Sequence, residues 1–421
     1  MLRISRGRPS AFPAAGGAER NGVFLRRVNG LCGGGRRTRR IGAPLLALAT
    51  AFALLTIEEI AALDSRIESR ESGGRFKPLD PKQEILFPRD HGSHDGARVE
   101  WWYVTGQLET PSGRRLGYQL TFFRTGIADE PRSARASGFA ARDLFLAHFA
   151  RTDAAAGTFR FAERTHRTGV GAAFSREDRL SVANEDWRLE EVGGRLVLFA
   201  EGGGEEISLV LTPEKPPVVH GEGGLSRKGP ENDAVSRYVS LTRLRSEGWW
   251  TAGEKSEAVT GLSWFDHEWG SGSIGKNTAG WDWFALQLLD GRDLMLYRMR
   301  GTAGSPTRFS SGTLVDREGR ATPLGASDFT IEETARWKSA RSGATYPARW
   351  ILRVPRAGIA SEVVPLVKDQ ELVTEKSTRV TYWEGACDVT APGGGASLGR
   401  AYVEMTGYAG AGELGLLREA K

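Results

Sequence analysis

Cysteine is almost missing from this chain, with two in 421 residues, Cys32 near one end and Cys387 near the other. No intrachain disulfide can form in the body around Cys387, so burial has to hold the fold, which a chain of this length can supply. Cys32 precedes the one long apolar run, on the wrong side of it for a lipidated cysteine. A net positive charge is missing from the body as well. Residues 1–57 hold ten arginines, no lysine and the single acid Glu19, a net +9, which leaves −4 of the total +5 for everything that follows. No basic stripe interleaved with aromatics survives beyond the leader, which excludes nucleic-acid binding through the phosphate backbone. Long helical periodicities are scarce too, and this turns attention to strands.

The leader has an order of its own. Arg36-Arg37-Thr38-Arg39-Arg40 precedes an uncharged stretch from Ile41 to Ile57, then Glu58-Glu59. A basic flank before an apolar segment slightly shorter than the roughly 20 residues of a membrane span is the build of a secretory signal. The expectation is an exported protein, periplasmic or anchored, with membrane association through residues 41–57. Cleavage near Ile60-Ala61-Ala62 and retention as an anchor both stay open.

From Leu86 onward the apolar period is two. Trp102, Val104, Gly106 and Leu108 fall on one face and Trp101, Tyr103, Thr105 and Gln107 on the other. Pro111-Ser112-Gly113 turns the chain, and Leu116, Tyr118, Leu120 and Phe122 repeat the alternation. Trp281 to Leu288, a turn at Asp290-Gly291-Arg292 and Leu294 to Met299 follow the same plan. Set side by side without a gap, Trp101 to Leu108 and Trp281 to Leu288 match at Trp101/Trp281, Gln107/Gln287 and Leu108/Leu288. Strand candidates continue at Leu144–Arg151, Thr158–Glu163, Trp187–Glu190, Leu196–Glu201, Ile207–Thr212, Tyr238–Leu244, Thr313–Asp316, Ala348–Val354, Thr381–Thr390 and Arg400–Gly407. Glycine-rich turns such as Glu201-Gly202-Gly203-Gly204 join them. The prediction is an all-β, duplicated antiparallel architecture.

Several motif matches fail on context. Gly270, Gly272 and Gly275 fit a dinucleotide fingerprint but lead into an aromatic strand rather than a helix. His267-Glu268 begins a zinc-protease pattern whose second histidine position is Ser271, and Gly261-Leu262-Ser263 lacks the second glycine of a nucleophile elbow. Asp90, His91 and His94 read as a turn that ties down the first strand, so neither a metal nor an organic cofactor is expected.

What survives is Asp266, His267, Glu268 and His220, with Glu100 and Tyr103 from the first motif and Tyr382-Trp383-Glu384 from the last third. A carboxyl walled by indoles loses hydration and can stay protonated near neutral pH, and the same rings favour a cation by roughly 0.5 to 2 kcal/mol per contact. Those are the parts for protonating a double bond and capturing the carbocation with water. The alternative for Asp266 and His267 is a buried hydrogen-bonded pair that closes a strand. Trp102 and Trp283, beside or between acids, are the pocket candidates, whereas Trp101 and Trp281 read as barrel-floor packing. His220, ahead of Gly221-Glu222-Gly223-Gly224, is predicted to lie exposed in a loop.

Asp90-His91-Gly92-Ser93-His94 with Glu100-Trp101-Trp102-Tyr103, and Trp264-Phe265-Asp266-His267-Glu268-Trp269-Gly270 with Gly280-Trp281-Asp282-Trp283-Phe284, resemble the carotenoid 1,2-hydratase (hydroxyneurosporene synthase) or AttH-type lipocalin-like family, from about Phe87 to about Gly410. The resemblance implies two tandem lipocalin-like antiparallel β-barrel domains, residues 86–270 and 271–421, after a leader at 1–60 and a linker at 61–85. Small barrels of this kind hold an apolar ligand in the interior or its mouth. It also places the His220-Gly221 loop, ahead of Ser226-Arg227-Lys228-Gly229, near the site. The expected activity is cofactor-free hydration of an isoprenoid-type double bond in an apolar pocket. Asp266 is the expected proton donor, and His220 or His267 orients the acid or the water. An exported carrier of an apolar lipid or metabolite is the alternative, and a cyclase or pericyclase acting on an apolar substrate the third.

Overall fold

The computed structural model describes residues 74–127, 129, 141–168 and 172–410. The leader, its apolar segment 41–57 and the linker up to residue 73 lie outside them. The described chain is nearly all strand, arranged as two curled antiparallel sheets, a barrel and a half-barrel, of thirteen and ten strands. It passes from one sheet to the other between Gly270 and Thr278.

Alternation on both faces explains why these segments are strands with no solvent side. Along Val99–Glu109, Trp102, Val104 and Leu108 enter the core of the first sheet with Phe122, Phe149 and Trp187. Tyr103 points the other way, into a second cluster with Tyr238, Trp264, Trp283, Tyr297 and Tyr402 that both sheets build. Gly106 lies where a Cβ would stand 2.5 Å from Ser263 Oγ and 2.6 Å from a Tyr118 ring carbon. The Tyr118 hydroxyl meets Ser263 Oγ across that gap at 2.5 Å, so only hydrogen fits. The core of the second sheet gathers Phe284, Leu296, Tyr346, Trp350, Trp383 and Val403.

The two sheets repeat one plan. In each, the first strand lies between the second and the last: Val99–Glu109 between Arg115–Gly126 and Lys255–Gly270, and Thr278–Leu288 between Asp293–Gly301 and Ser397–Thr406. The ungapped match seen in sequence therefore falls on equivalent strands. Gln107 and Gln287 make the repeat reciprocal. The Gln107 amide donates to the carbonyls of Cys387 and Ala401 in the second sheet, and Gln287 donates to those of Thr242 and Ser263 in the first. Each thus closes two buried backbone acceptors of the opposite barrel. Strands at Thr330–Lys338 and Ile359–Pro365 were not predicted, and the first alternates charged residues on a largely exposed edge.

Candidate functional site

Between the two sheets lies a cavity of about 140 Å³. Period-two geometry decides what reaches it. On Lys255–Gly270, Asp266 and Glu268 face the cavity, while Phe265, His267 and Trp269 face away. On the neighbouring strand Trp101 and Tyr103 line it, and the second sheet contributes Trp281, Trp283, Tyr382, Glu384 and Glu404. Both sheets therefore line the cavity.

Asp266 is the most constrained group on this wall. Trp264 Nε1 donates to its Oδ1 at 2.6 Å, the Tyr238 hydroxyl donates to Oδ2 at 2.7 Å, and Ser240 Oγ donates to Oδ1. Burial raises its pKa to about 7 against the pull of those three donors, with the charge of Glu268 adding to the rise. His220 is buried rather than exposed. Its Nε2 lies 2.7 Å from Ser240 Oγ and its Nδ1 2.8 Å from Thr313 Oγ1 of the second sheet. Burial, then the nearby Lys228, lowers its pKa to about 3, so the ring is neutral. One nitrogen of the neutral ring donates and the other accepts, so His220 links Thr313 of the second sheet through Ser240 to Asp266. Glu268 pairs with Lys228 Nζ at 2.9 Å, and that ammonium sits 4.2 Å from the centre of the Tyr297 ring.

The opposite wall carries acids without cations. Glu384 and Glu404 are direct cross-strand partners, and neither forms an ion pair among the described residues. Glu384 is fully buried, with neither oxygen in a well-formed hydrogen bond. Burial and then the charge of Glu404 hold its pKa well above the carboxylate range, only partly opposed by the hydroxyls of Tyr103 and Tyr382. Burial, then Asp266, raises Glu404 to about 8. His148, another lining residue, meets the Tyr382 hydroxyl at 2.7 Å and Ser377 Oγ at 2.8 Å, and burial lowers its pKa to about 3.

Three expected site residues point away from the cavity, and His220, behind Ser240, does not line it either. Trp102 packs in the first core, donates from Nε1 to the carbonyl of His91 and stacks on His267. His267 Nε2 and His94 Nδ1 meet the same Glu100 oxygen at 2.9 and 2.8 Å, and Arg124 takes the other at 2.9 Å. The ligand atoms of His94, Glu100 and His267 lie within 4.8 Å of one another. A carboxylate already matched by a guanidinium and two ring nitrogens has its charge answered, so the donor set reads as a closed polar network rather than a cation site. Trp101 and Trp281, expected as barrel floor, line the cavity instead. Glu404, Tyr238, Ser240 and His148 were not anticipated. The signal for Glu404 was its alternation with Tyr402 against Ala401, Val403 and Met405.

The AttH-like family pattern matches residues 78–408. A Nitrosomonas europaea crystal structure described as an AttH shares 34% identity over 79% of this chain and 100% of its own, with a TM-score of 0.71. Kievitone hydratase from Nectria haematococca has the same fold at 16% identity, a TM-score of 0.56, and coverage of 80% of this chain and 99% of its own. Among curated protein sequences none matches. On the family match and the Nitrosomonas structure together, the chain belongs to the AttH-like family.

Proposed function

We propose that this protein is a hydratase that adds water to an isoprenoid-type double bond of an apolar molecule held between the barrels. The observation that carries the reading is the cavity itself, in which Asp266, Glu384 and Glu404 all have raised pKa values beside Trp101, Trp281 and Trp283. A neutral carboxyl there can hand a proton to an alkene carbon, the indole and phenol faces favour the tertiary cation that forms, and water captures it as a tertiary alcohol. A second carboxyl accepts the proton that the water gives up. That a hydratase occurs on this fold supports the reading.

The test is incubation of the purified chain with geranylgeraniol and other acyclic isoprenoids in ¹⁸O-labelled water, with labelled tertiary alcohol as the readout. Asp266→Asn should cut turnover at least about 100-fold, as for a lost acid–base group. Turnover unchanged in that variant removes Asp266 from the chemistry. Tight binding of the isoprenoid with no labelled alcohol replaces the hydratase reading with a carrier.

A further inference from the structure

Resting on the hydratase reading, we propose that the two walls divide the proton work: Glu404, backed by Glu384, donates the proton to the alkene, and Asp266 acts as the carboxylate that receives the proton from water. The sequence had pointed to Asp266 as the donor. Its hydrogen bonds argue the reverse role. Trp264 Nε1 can only donate. The Tyr238 oxygen already accepts from Trp283 Nε1 at 3.0 Å, which commits its own hydrogen to Asp266. Ser240 Oγ lies between His220 Nε2 and Asp266 Oδ1 and brings its hydroxyl to the same carboxyl. Donors converging on the two oxygens favour the charged form, and a proton on Asp266 would weaken them.

The other wall has fewer donors for each acid, Trp281 at Glu404 and the hydroxyls of Tyr103 and Tyr382 at Glu384, and they do not offset burial. Glu384 and Glu404 face each other across paired strands, and two neighbouring buried carboxylates with no ion pair cannot both be ionised. Glu404 is the donor of the two because it is partly exposed along the cavity, whereas Glu384 is sealed. Burial raises Glu404 to about 8 and Asp266 to about 7, the same order as the geometry.

The repeat places these roles. Tyr103 pairs with Asp266 as its counterpart Trp283 pairs with Glu404, and Ser240 opposes Asp266 as Glu384 opposes Glu404. The same strand position thus holds an acid in both barrels, with a hydroxyl donor beside one and a second acid beside the other. In the step itself the Glu404 O–H bond breaks as the new C–H bond forms. Water adds its oxygen to the resulting cation, and the oxonium loses its proton to Asp266. That proton then returns to Glu404 through cavity water, so the sum is alkene plus water to alcohol.

Infrared difference spectroscopy of the ligand-free protein at about pH 7.5, above the value for Asp266 and below that for Glu404, tests the assignment without any substrate. The stretch of protonated carboxyls, identified by its shift in deuterium oxide, should be present in the wild type, kept in Asp266→Asn, and reduced in both Glu404→Gln and Glu384→Gln. Loss of the band in Asp266→Asn with retention in the two glutamine variants would overturn it, as would a band unchanged in all three. If Glu404→Gln does not fold, Glu384→Gln makes the same comparison. With geranylgeraniol as probe, Glu404→Gln should lower kcat at least about 100-fold. Failure of every alkene assay would sink the hydratase reading while leaving the infrared pattern to be judged by itself.

Discussion

Asp266 and Glu404 hold the same place in the same strand of a repeated sheet, and their surroundings have diverged. Around Asp266 stand Ser240, Tyr238 and Trp264, all donating to it, while Glu404 has Glu384 opposite and no ion pair. Glu268, which binds Lys228 on the first side, corresponds in register to Thr406 on the second. What stayed alike is scaffold: Trp101 and Trp281 against the cavity, and Gln107 and Gln287 clasping opposite barrels. The difference teaches that a duplicated fold can keep its interface symmetric and become asymmetric only where chemistry is done. Different surroundings let one acid keep its proton while its counterpart gives it up, the division that acid–base chemistry needs.

The largest expected effect separates the cavity face from the face behind it. Glu100→Gln leaves Arg124, His94 and His267 around an amide in a buried network, and breaking such a network costs about 3–5 kcal/mol. Urea denaturation should show that loss, while binding of an apolar probe in the cavity, on the other side of the strand, persists in the folded fraction. A cost within about 0.5 kcal/mol would place Glu100 among ordinary surface positions.

Next comes the pH profile of turnover. With Asp266 as base and Glu404 as acid, kcat/KM should fall about tenfold per pH unit below about 7 and again above about 8. The other groups facing them are Glu268 with Lys228, Tyr103, Tyr238 and His148 on the first wall, and Glu384, Tyr382 and Tyr297 on the second. In Glu404→Gln whatever residual rate remains should lose the alkaline limb and keep the acid one. Survival of the alkaline limb in that variant would move the donor role elsewhere.

The fold was legible in sequence because a strand period of two survives in a chain with few helical patterns, and the match of Trp101 to Leu108 with Trp281 to Leu288 located the repeat. The site was legible only in part. Asp266, Glu268, Tyr103, Trp283, Tyr382 and Glu384 meet at the cavity, whereas His267, Glu100 and Trp102 were grouped with them by nearness along the chain. Nearness misleads in a strand, where consecutive side chains leave opposite faces. When both faces are buried, alternation still separates the two sets but does not say which one meets the ligand. Glu404 was missed because a single acid between Val403 and Met405 carries no motif, and its partner Glu384 is brought beside it only by strand pairing. His220 was misread because a glycine-rich loop usually lies outside, and here the second sheet covers it through Thr313.

The reciprocal glutamines give a sharper test of the symmetry. Each amide satisfies two buried carbonyls of the other barrel, so Gln107→Ala and Gln287→Ala should each destabilise by about 1–3 kcal/mol and by similar amounts. Equal losses in urea unfolding support a shared origin of the two contacts. A large loss at one and none at the other would show that the interface, like the site, has become one-sided.

The smallest expected effect has opposite signs at the two equivalent acids. Burial raises Glu404 to about 8 in the folded chain, against 4.5 for a free glutamate. Between those two pH values the folded state keeps a proton that the unfolded state has lost, so unfolding releases it and stability falls as pH rises. Glutamine cannot ionise and should remove that decline. Glu404→Gln should therefore match the wild type near pH 4 and exceed it at pH 8 by at least about 1.4 kcal/mol, the worth of a single pKa unit. Asp266→Asn removes a pKa raised in the same direction, but it turns an amide N–H towards hydroxyl and indole donors that need an acceptor. That variant should already be less stable than the wild type at pH 4, where the titration difference is small. Thermal unfolding of both variants at pH 4 and pH 8 decides the matter: a gain at Glu404 with a loss at Asp266 marks one position as held neutral and the other as built for charge. A gain at both would mean that the three donors around Asp266 do not hold it as a carboxylate.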